Sequence, residues 1–125
     1  MDKILMVGLG GGIGAAGRYL AAAWFGRLAG AGFMGTMFVN VVGSFLMGVL
    51  AVILMERAGA WSRFAPLLIT GVLGGFTTFS AFSLDALYLI ERGRMGMAAF
   101  YIMGSAALSI AALFAGLLLA RTYAS

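Results

Sequence analysis

No cysteine and no histidine occur in the 125 residues, and Pro66 is the single proline. Without Cys there is no disulfide framework and no thiol nucleophile. Without His there is no imidazole base, and the two absences together exclude a Cys/His zinc site. Charge is scarce as well. Only 10% of the residues are charged, against about a quarter in an ordinary soluble domain. The acids are Asp2, Glu56, Asp85 and Glu91, and only Asp85 falls well inside an apolar segment. A hydrolase built on paired carboxylates has almost nothing to work with, and the composition points away from an enzyme.

What is abundant is apolar surface. Hydrophobic residues make up 63% of the chain, and a soluble protein of this size has too small an interior to hide them. The medium is therefore lipid. The net charge of +4 comes from basic residues scattered in ones and twos at the ends of oily segments. That spacing suits lipid headgroups and gives no basic run to follow a nucleic-acid backbone.

Four apolar spans are predicted, at roughly 4–25, 34–55, 65–90 and 97–120. Each reaches the 20 or so residues that a membrane helix needs. The connectors GRLAGAGF, ERAGAWSR and ERGRMG are short. Residues 1–125 are thus expected to form a single four-helix transmembrane domain. Two decoys lie in the first span. Lys3 ahead and Ala21-Ala22-Ala23 behind imitate a signal peptide, but Arg18 interrupts the apolar core that such a peptide requires. Gly12, Gly14 and Gly17 match G-x-G-x-x-G, yet the acid expected about 20 residues on is missing, and Glu56 is the next one. In a membrane helix the pairs Gly8/Gly12 and Gly10/Gly14 read instead as contacts that let backbones approach.

Four spans put both termini and the second connector on one side. That side carries Lys3, Arg57, Arg63 and Arg121; the other carries Arg27, Arg92 and Arg94. Insertion is oriented by Lys/Arg bias between short loops, and four against three is almost none. Either weak cues fix one orientation, or the chain inserts both ways and pairs antiparallel.

Polar residues recur at helical spacing inside two spans. Thr36, Asn40 and Ser44 fall four apart, as do Tyr101, Ser105 and Ser109, so each set shares one helix face. Such groups serve as interhelical hydrogen bonds or, taken as two complete stripes, as the lining of a polar pathway. In the third span, GGFTTFSAFS sets Gly74 and Gly75 beside Thr77, Thr78 and Ser80. Paired glycines allow either a softened kink, with the hydroxyls bonding back to the helix, or a true break that presents carbonyls to a cation. Phe79 and Phe82 share a face and could pack, or could turn positive ring edges toward an anion. Arg18 lies about 12 Å from the end of its span at helical rise, a long reach for snorkelling, and a buried charge in lipid is a functional candidate. No partner for Asp85 can be read from the sequence.

Taken together these residues resemble the Fluc-type (CrcB-like) family of bacterial fluoride channels. GGFTTFSAFS is similar to the family's GG-x-TTFSTFS signature, and Arg18, the Gly35/Thr36/Asn40 set and the Tyr101/Ser105/Ser109 stripe fall at family-like places. The resemblance implies an all-α protein with a broken third helix, paired as an antiparallel dual-topology homodimer in the bacterial inner membrane. It implies passive fluoride export and a structural Na⁺ held by the backbone carbonyls of Gly74 and Thr77. Phe79 and Phe82 would be the ring-edge anion sites with Asn40 as a nearby donor. Ser80, Thr36, Tyr101, Ser105 and Ser109 would line the track, and Arg18 would face an aqueous vestibule. Ala81 stands where the family usually has Thr, and Asp85 where Glu is common.

Two other functions fit a chain of this shape. A proton-coupled small multidrug exporter needs a midplane carboxylate in its first span, where this chain has Arg18 and no acid after Asp2. A non-conducting structural membrane subunit would share the composition and move no ion.

Overall fold

A chain in hydrocarbon must satisfy its backbone hydrogen bonds within each segment, which leaves helix as the available form for these passes. The computed structural model describes residues 2–57 and 59–123. The outer limits of the expected domain, residues 1 and 125, and residue 58 in the connector ERAGAWSR lie outside the described residues.

Helix α1 (Lys3–Ala29) starts where the Asp2 carboxylate accepts the Ile4 N–H at 3.2 Å. It stops at Gly30, whose φ of 81° suits a residue without a Cβ. Helix α2 (Gly32–Leu50) runs on into a π-wound segment, Ala51–Glu56. A 3₁₀ turn, Gly59–Phe64, forms the second connector. Helix α3 (residues 66–76) has Pro66 in its first turn, is π-wound over Pro66–Leu73 and closes with an α-turn, Gly74–Phe76. After residues 77–79, helix α4 (Ser80–Glu91) and helix α5 (Met95–Tyr123) complete the chain.

The described residues are all helical in architecture. They include four stretches long and apolar enough to span a membrane: Lys3–Ala29, Gly32–Glu56, Gly59–Glu91 and Met95–Tyr123. Each outruns its expected apolar core, because helical winding continues into the polar residues at the membrane surface.

Glycine sets how closely the helices pack. A Cβ at Gly14 would strike the Val72 carbonyl, and one at Gly10 the Leu67 carbonyl, so α1 and α3 touch backbone to backbone. Gly35 sits against the Ala22 carbonyl in the α1–α2 contact. Gly48 and Gly116 meet the carbonyls of Leu113 and Phe45 where α2 crosses α5. The expectation that Gly8/Gly12 also mediates an approach is corrected, for a Cβ at either would meet open space within the chain. Two residues of helix turn the face by about 200°, so Gly10/Gly14 and Gly8/Gly12 point to nearly opposite sides.

The buried core joins Met37 of α2, Ala86 and Leu89 of α4, and Ala98 and Tyr101 of α5. Leu9, Leu20, Leu28, Leu108 and Leu118 lie exposed on the outside, as lipid-facing residues do. At one end Arg121 donates to both oxygens of Glu56, at 2.8 and 3.1 Å, and Arg57 donates to the Arg121 carbonyl at 3.3 Å. Lys3 and Arg63 line one cavity, so the four cations assigned to one side fall into two local clusters.

Candidate ion pathway

The third pass loses its helix at Thr77, where the backbone turns extended (φ −90°, ψ 157°), and regains it at Ser80. Gly43 of α2 makes room, since a Cβ there would overlap the Thr77 methyl group. Asn40 of α2 then holds the irregular segment from both sides. Its Nδ2 donates to the Thr78 carbonyl at 2.9 Å, and its Oδ1 accepts the Thr78 N–H at 2.7 Å. An amide side chain offers a donor and an acceptor in one plane, so it can replace both ladder bonds that one residue loses. The Thr78 hydroxyl accepts the Ala81 N–H at 3.1 Å and lies 3.3 Å from the Ser80 hydroxyl, acting as a cap for α4.

These bonds have a consequence for the carbonyls. The amide four residues beyond Gly74 is that of Thr78, which goes to Asn40. The amide four beyond Thr77 is that of Ala81, which goes to the Thr78 hydroxyl. Gly74 and Thr77 therefore keep carbonyl oxygens whose usual helical donors are diverted. The Thr77 hydroxyl does not compete for the site, because it donates back to the Leu73 carbonyl at 3.0 Å.

A groove of about 530 Å³ opens beside this segment. Asn40, Ser44, Ser105 and Ser109 contribute its polar wall, and Phe79 and Phe82 its aromatic one. The groove also reaches Gly74 and Thr77. Among the described residues no ionisable side chain lines it. Ser105 is 4% exposed and its Oγ has no partner among the described residues, an unusual state for a buried hydroxyl. The rings of Phe79 and Phe82 lie 5.6 Å apart, tilted by 50°. Phe79 is 78% exposed, and Ser80, which is not among the residues lining the groove, is exposed too.

Thr36 and Tyr101 sit deeper, outside the groove lining. Tyr101 is fully buried, its ring 5.1 Å from Phe82 and 5.2 Å from Phe33, and the Thr36 hydroxyl lies beside its phenol. The Tyr101 O–H donates to Asp85 at 3.1 Å, which supplies the partner that the sequence could not name. The signal was absent because the two residues lie on different helices joined by a turn. Arg18 is part-buried, and its Nε donates to the Gly75 carbonyl at 3.0 Å. It is tied to the third pass by this bond. It also lines a second cavity with Tyr19, Arg27 and Gly32.

In sequence Thr78 reads only as a hydroxyl beside the glycines; its pair of hydrogen bonds to Asn40 and its capping of α4 carry no sequence signature. Gly43, three residues after Asn40 on the same face, was the one available hint that something packs tightly there.

An all-helical bundle with four membrane-length passes, and a polar groove beside an irregular third pass, defines a small polytopic membrane protein. The chain belongs to the family of CrcB-like proteins (Camphor Resistance, CrcB), whose pattern matches residues 5–117. It is 54% identical over 122 residues to the fluoride-specific ion channel FluC of Agrobacterium fabrum, covering 97% of this chain and 98% of that one. It is 55% identical over 122 residues to the fluoride-specific ion channel FluC of Cereibacter sphaeroides ATH 2.4.9, covering 97% and 96%. The protein of the same name in Rhizobium meliloti is 52% identical over 122 residues, covering 97% and 98%.

Proposed function

We propose that the protein is a fluoride channel of the bacterial inner membrane, a passive exporter and not an enzyme. One observation carries the mechanism: the groove beside the third pass is lined by neutral hydrogen-bond donors and two phenyl rings, with no ionisable side chain among the described residues that line it. An anion must find enough attraction there to leave water, and too little to be trapped. Hydroxyl donors and positive ring edges meet that condition, whereas a bare ammonium or guanidinium in the lining would hold the ion. The Ser105 hydroxyl, buried without a partner among the described residues, supports this reading as a donor that a passing ion could engage. Fluoride rather than another anion comes from the names of the relatives.

In this reading Phe79 and Phe82 present ring edges, and Ser80, Ser105 and Ser109 line the track. Asn40 retains one N–H beyond the bond to Thr78. Thr36 and Asp85 hold Tyr101 against Phe82, and Arg18 supplies positive potential at the mouth. The exposed Phe79, Ser80 and Gly74 are the faces that a second copy would cover. The near-balanced Lys/Arg count supports dual insertion and an antiparallel homodimer. The interruption between Phe76 and Ser80 then serves as the meeting point of the copies.

The Gly74 and Thr77 carbonyls fit a sodium ion, being hard oxygen donors released from their helical amides. When bound there, Na⁺ would neutralise the carbonyl dipoles at the dimer centre and hold the copies together.

The test is efflux from liposomes containing the purified protein, followed with a fluoride electrode and with chloride as control. Rapid fluoride release without chloride leak is expected. A folded protein that releases neither ion would overturn the proposal in favour of a structural subunit.

A further inference from the structure

At the membrane surface that carries both termini, the start of α1 and the 3₁₀ turn enclose a cavity of about 650 Å³. Lys3 and Met6 form one wall, and Ser62, Arg63, Phe64 and Pro66 the other. Two cations from distant parts of the chain thus converge on one space. Among the described residues the one ion pair is Glu56–Arg121, so neither Lys3 nor Arg63 has a carboxylate partner. The nearby Asp2 accepts the Ile4 N–H at the start of α1. Like charges around one cavity repel, and more so beside a low-dielectric membrane than in bulk water. An anion between them reverses the sign of that interaction.

We propose that this cavity binds the phosphodiester headgroup of an anionic phospholipid, a site that stands independently of the channel reading. Three features select a lipid. Lys3 and Arg63 come just before the apolar runs of α1 and α3, which places the cavity at headgroup depth. Trp61, 65% exposed, stands at the same level, where Trp side chains anchor proteins to the interface. Met6 and Phe64 add apolar surface to the two walls, which suits the upper acyl chains of a lipid and not a free anion.

The site is also partly ordered in advance. The Arg63 guanidinium lies 4.9 Å from the centroid of the Phe64 ring, and Phe64 packs 5.6 Å from Trp61. A guanidinium already seated on a ring loses less freedom when it meets a phosphate. The Ser62 hydroxyl donates to the Gly59 carbonyl at 2.7 Å and so shapes the turn. A choline headgroup would bring a third cation into the cavity, so phosphatidylglycerol is preferred over phosphatidylcholine.

The experiment is native mass spectrometry of the full-length protein in detergent with equal amounts of phosphatidylglycerol and phosphatidylcholine. Retention of phosphatidylglycerol is expected to exceed that of phosphatidylcholine by roughly thirtyfold, the scale set by about 1 kcal/mol for each of two basic residues at an anionic surface. Lys3→Gln with Arg63→Gln should abolish the preference. Should that double variant fail to fold, the single variants at exposed position 63 carry the test: Arg63→Lys keeps the preference and Arg63→Gln lowers it. Equal retention of the two lipids, or a preference that survives loss of the charges, overturns the proposal. Displacement of the lipid by millimolar inorganic phosphate also overturns it, by making a soluble anion the ligand.

Discussion

Gly74 and Gly75 are adjacent in sequence and opposite in role. Gly75 faces inward, where a Cβ would lie 2.5 Å from the Gly11 carbonyl and 3.1 Å from the Ala15 nitrogen. Gly74 faces outward into the groove, and a Cβ there meets nothing nearer than the Ile69 carbonyl at 3.7 Å. The same residue type therefore does two jobs one position apart. On the α1 side it permits backbone contact that holds the third pass in place. On the groove side its carbonyl, not its missing Cβ, carries the interest, because the amide that would have bonded it is taken by Asn40.

The largest expected effect lies on the packed side. Gly75→Ala forces a methyl group against backbone on a neighbouring helix, which no rotamer change can relieve. Overpacking costs typically about 1–3 kcal/mol, and a clash with backbone belongs at the upper end. Size-exclusion chromatography and thermal unfolding in detergent should show a marked loss of folded protein. If Gly75→Ala unfolds at the parental temperature, the packed side of the comparison fails.

Next come the residues that hold the irregular segment open. Asn40→Ala removes both bonds to Thr78 and leaves a part-buried backbone N–H and C=O to be met by water from the groove, a smaller cost than a backbone clash. Asn40→Asp keeps the acceptor for the Thr78 N–H but sets a carboxylate against the Thr78 carbonyl. Fluoride efflux should fall at least tenfold in both, with Asn40→Asp still eluting as folded protein. Phe82→Ile should likewise lower efflux without unfolding, since it removes a ring edge and keeps an apolar side chain. Parental efflux from both Asn40→Asp and Phe82→Ile would dissolve the assigned pathway.

A smaller effect is expected deeper in the bundle. Tyr101→Phe deletes the donor that Asp85 receives, and Asp85→Asn keeps an acceptor for Tyr101. Efflux should drop a few-fold in the first and less in the second. The reverse order would mean that the charge of Asp85, and not its grip on Tyr101, matters to the ion.

The inward and outward halves of this site differed in how readable they were from the residues alone. Four membrane passes followed from apolar length, because lipid leaves a chain few alternatives. The groove lining was largely legible too: Asn40, Ser44, Ser105 and Ser109 recur at helical spacing, and spacing fixes a face. What spacing cannot convey is which atoms of a side chain are already engaged. Asn40 reads as a free donor in sequence, yet both ends of its amide bind Thr78. Arg18 reads as a charge seeking water, yet it bonds the Gly75 carbonyl across to another helix. Gly8/Gly12 and Gly10/Gly14 are indistinguishable as patterns, and only the position of α3 decides which pair is used.

The smallest expected effect is also the one that separates the chain's surface from an interface. Gly74 has ordinary helical backbone angles, φ −62° and ψ −38°, and open space on its outer side. Gly74→Ala should therefore leave the thermal midpoint of the isolated chain unchanged or raise it slightly, because Ala favours helix over Gly by up to about 1 kcal/mol. If the groove side faces lipid, that small gain is the whole effect. If it faces a second copy around a sodium ion, the added methyl group lies at the contact. The dimer fraction and fluoride efflux then fall, although the helix itself is no less stable. Measuring the unfolding midpoint beside the oligomeric state of one variant therefore distinguishes a lipid face from a subunit face, and an unchanged dimer with unchanged efflux would place the partner elsewhere on the molecule.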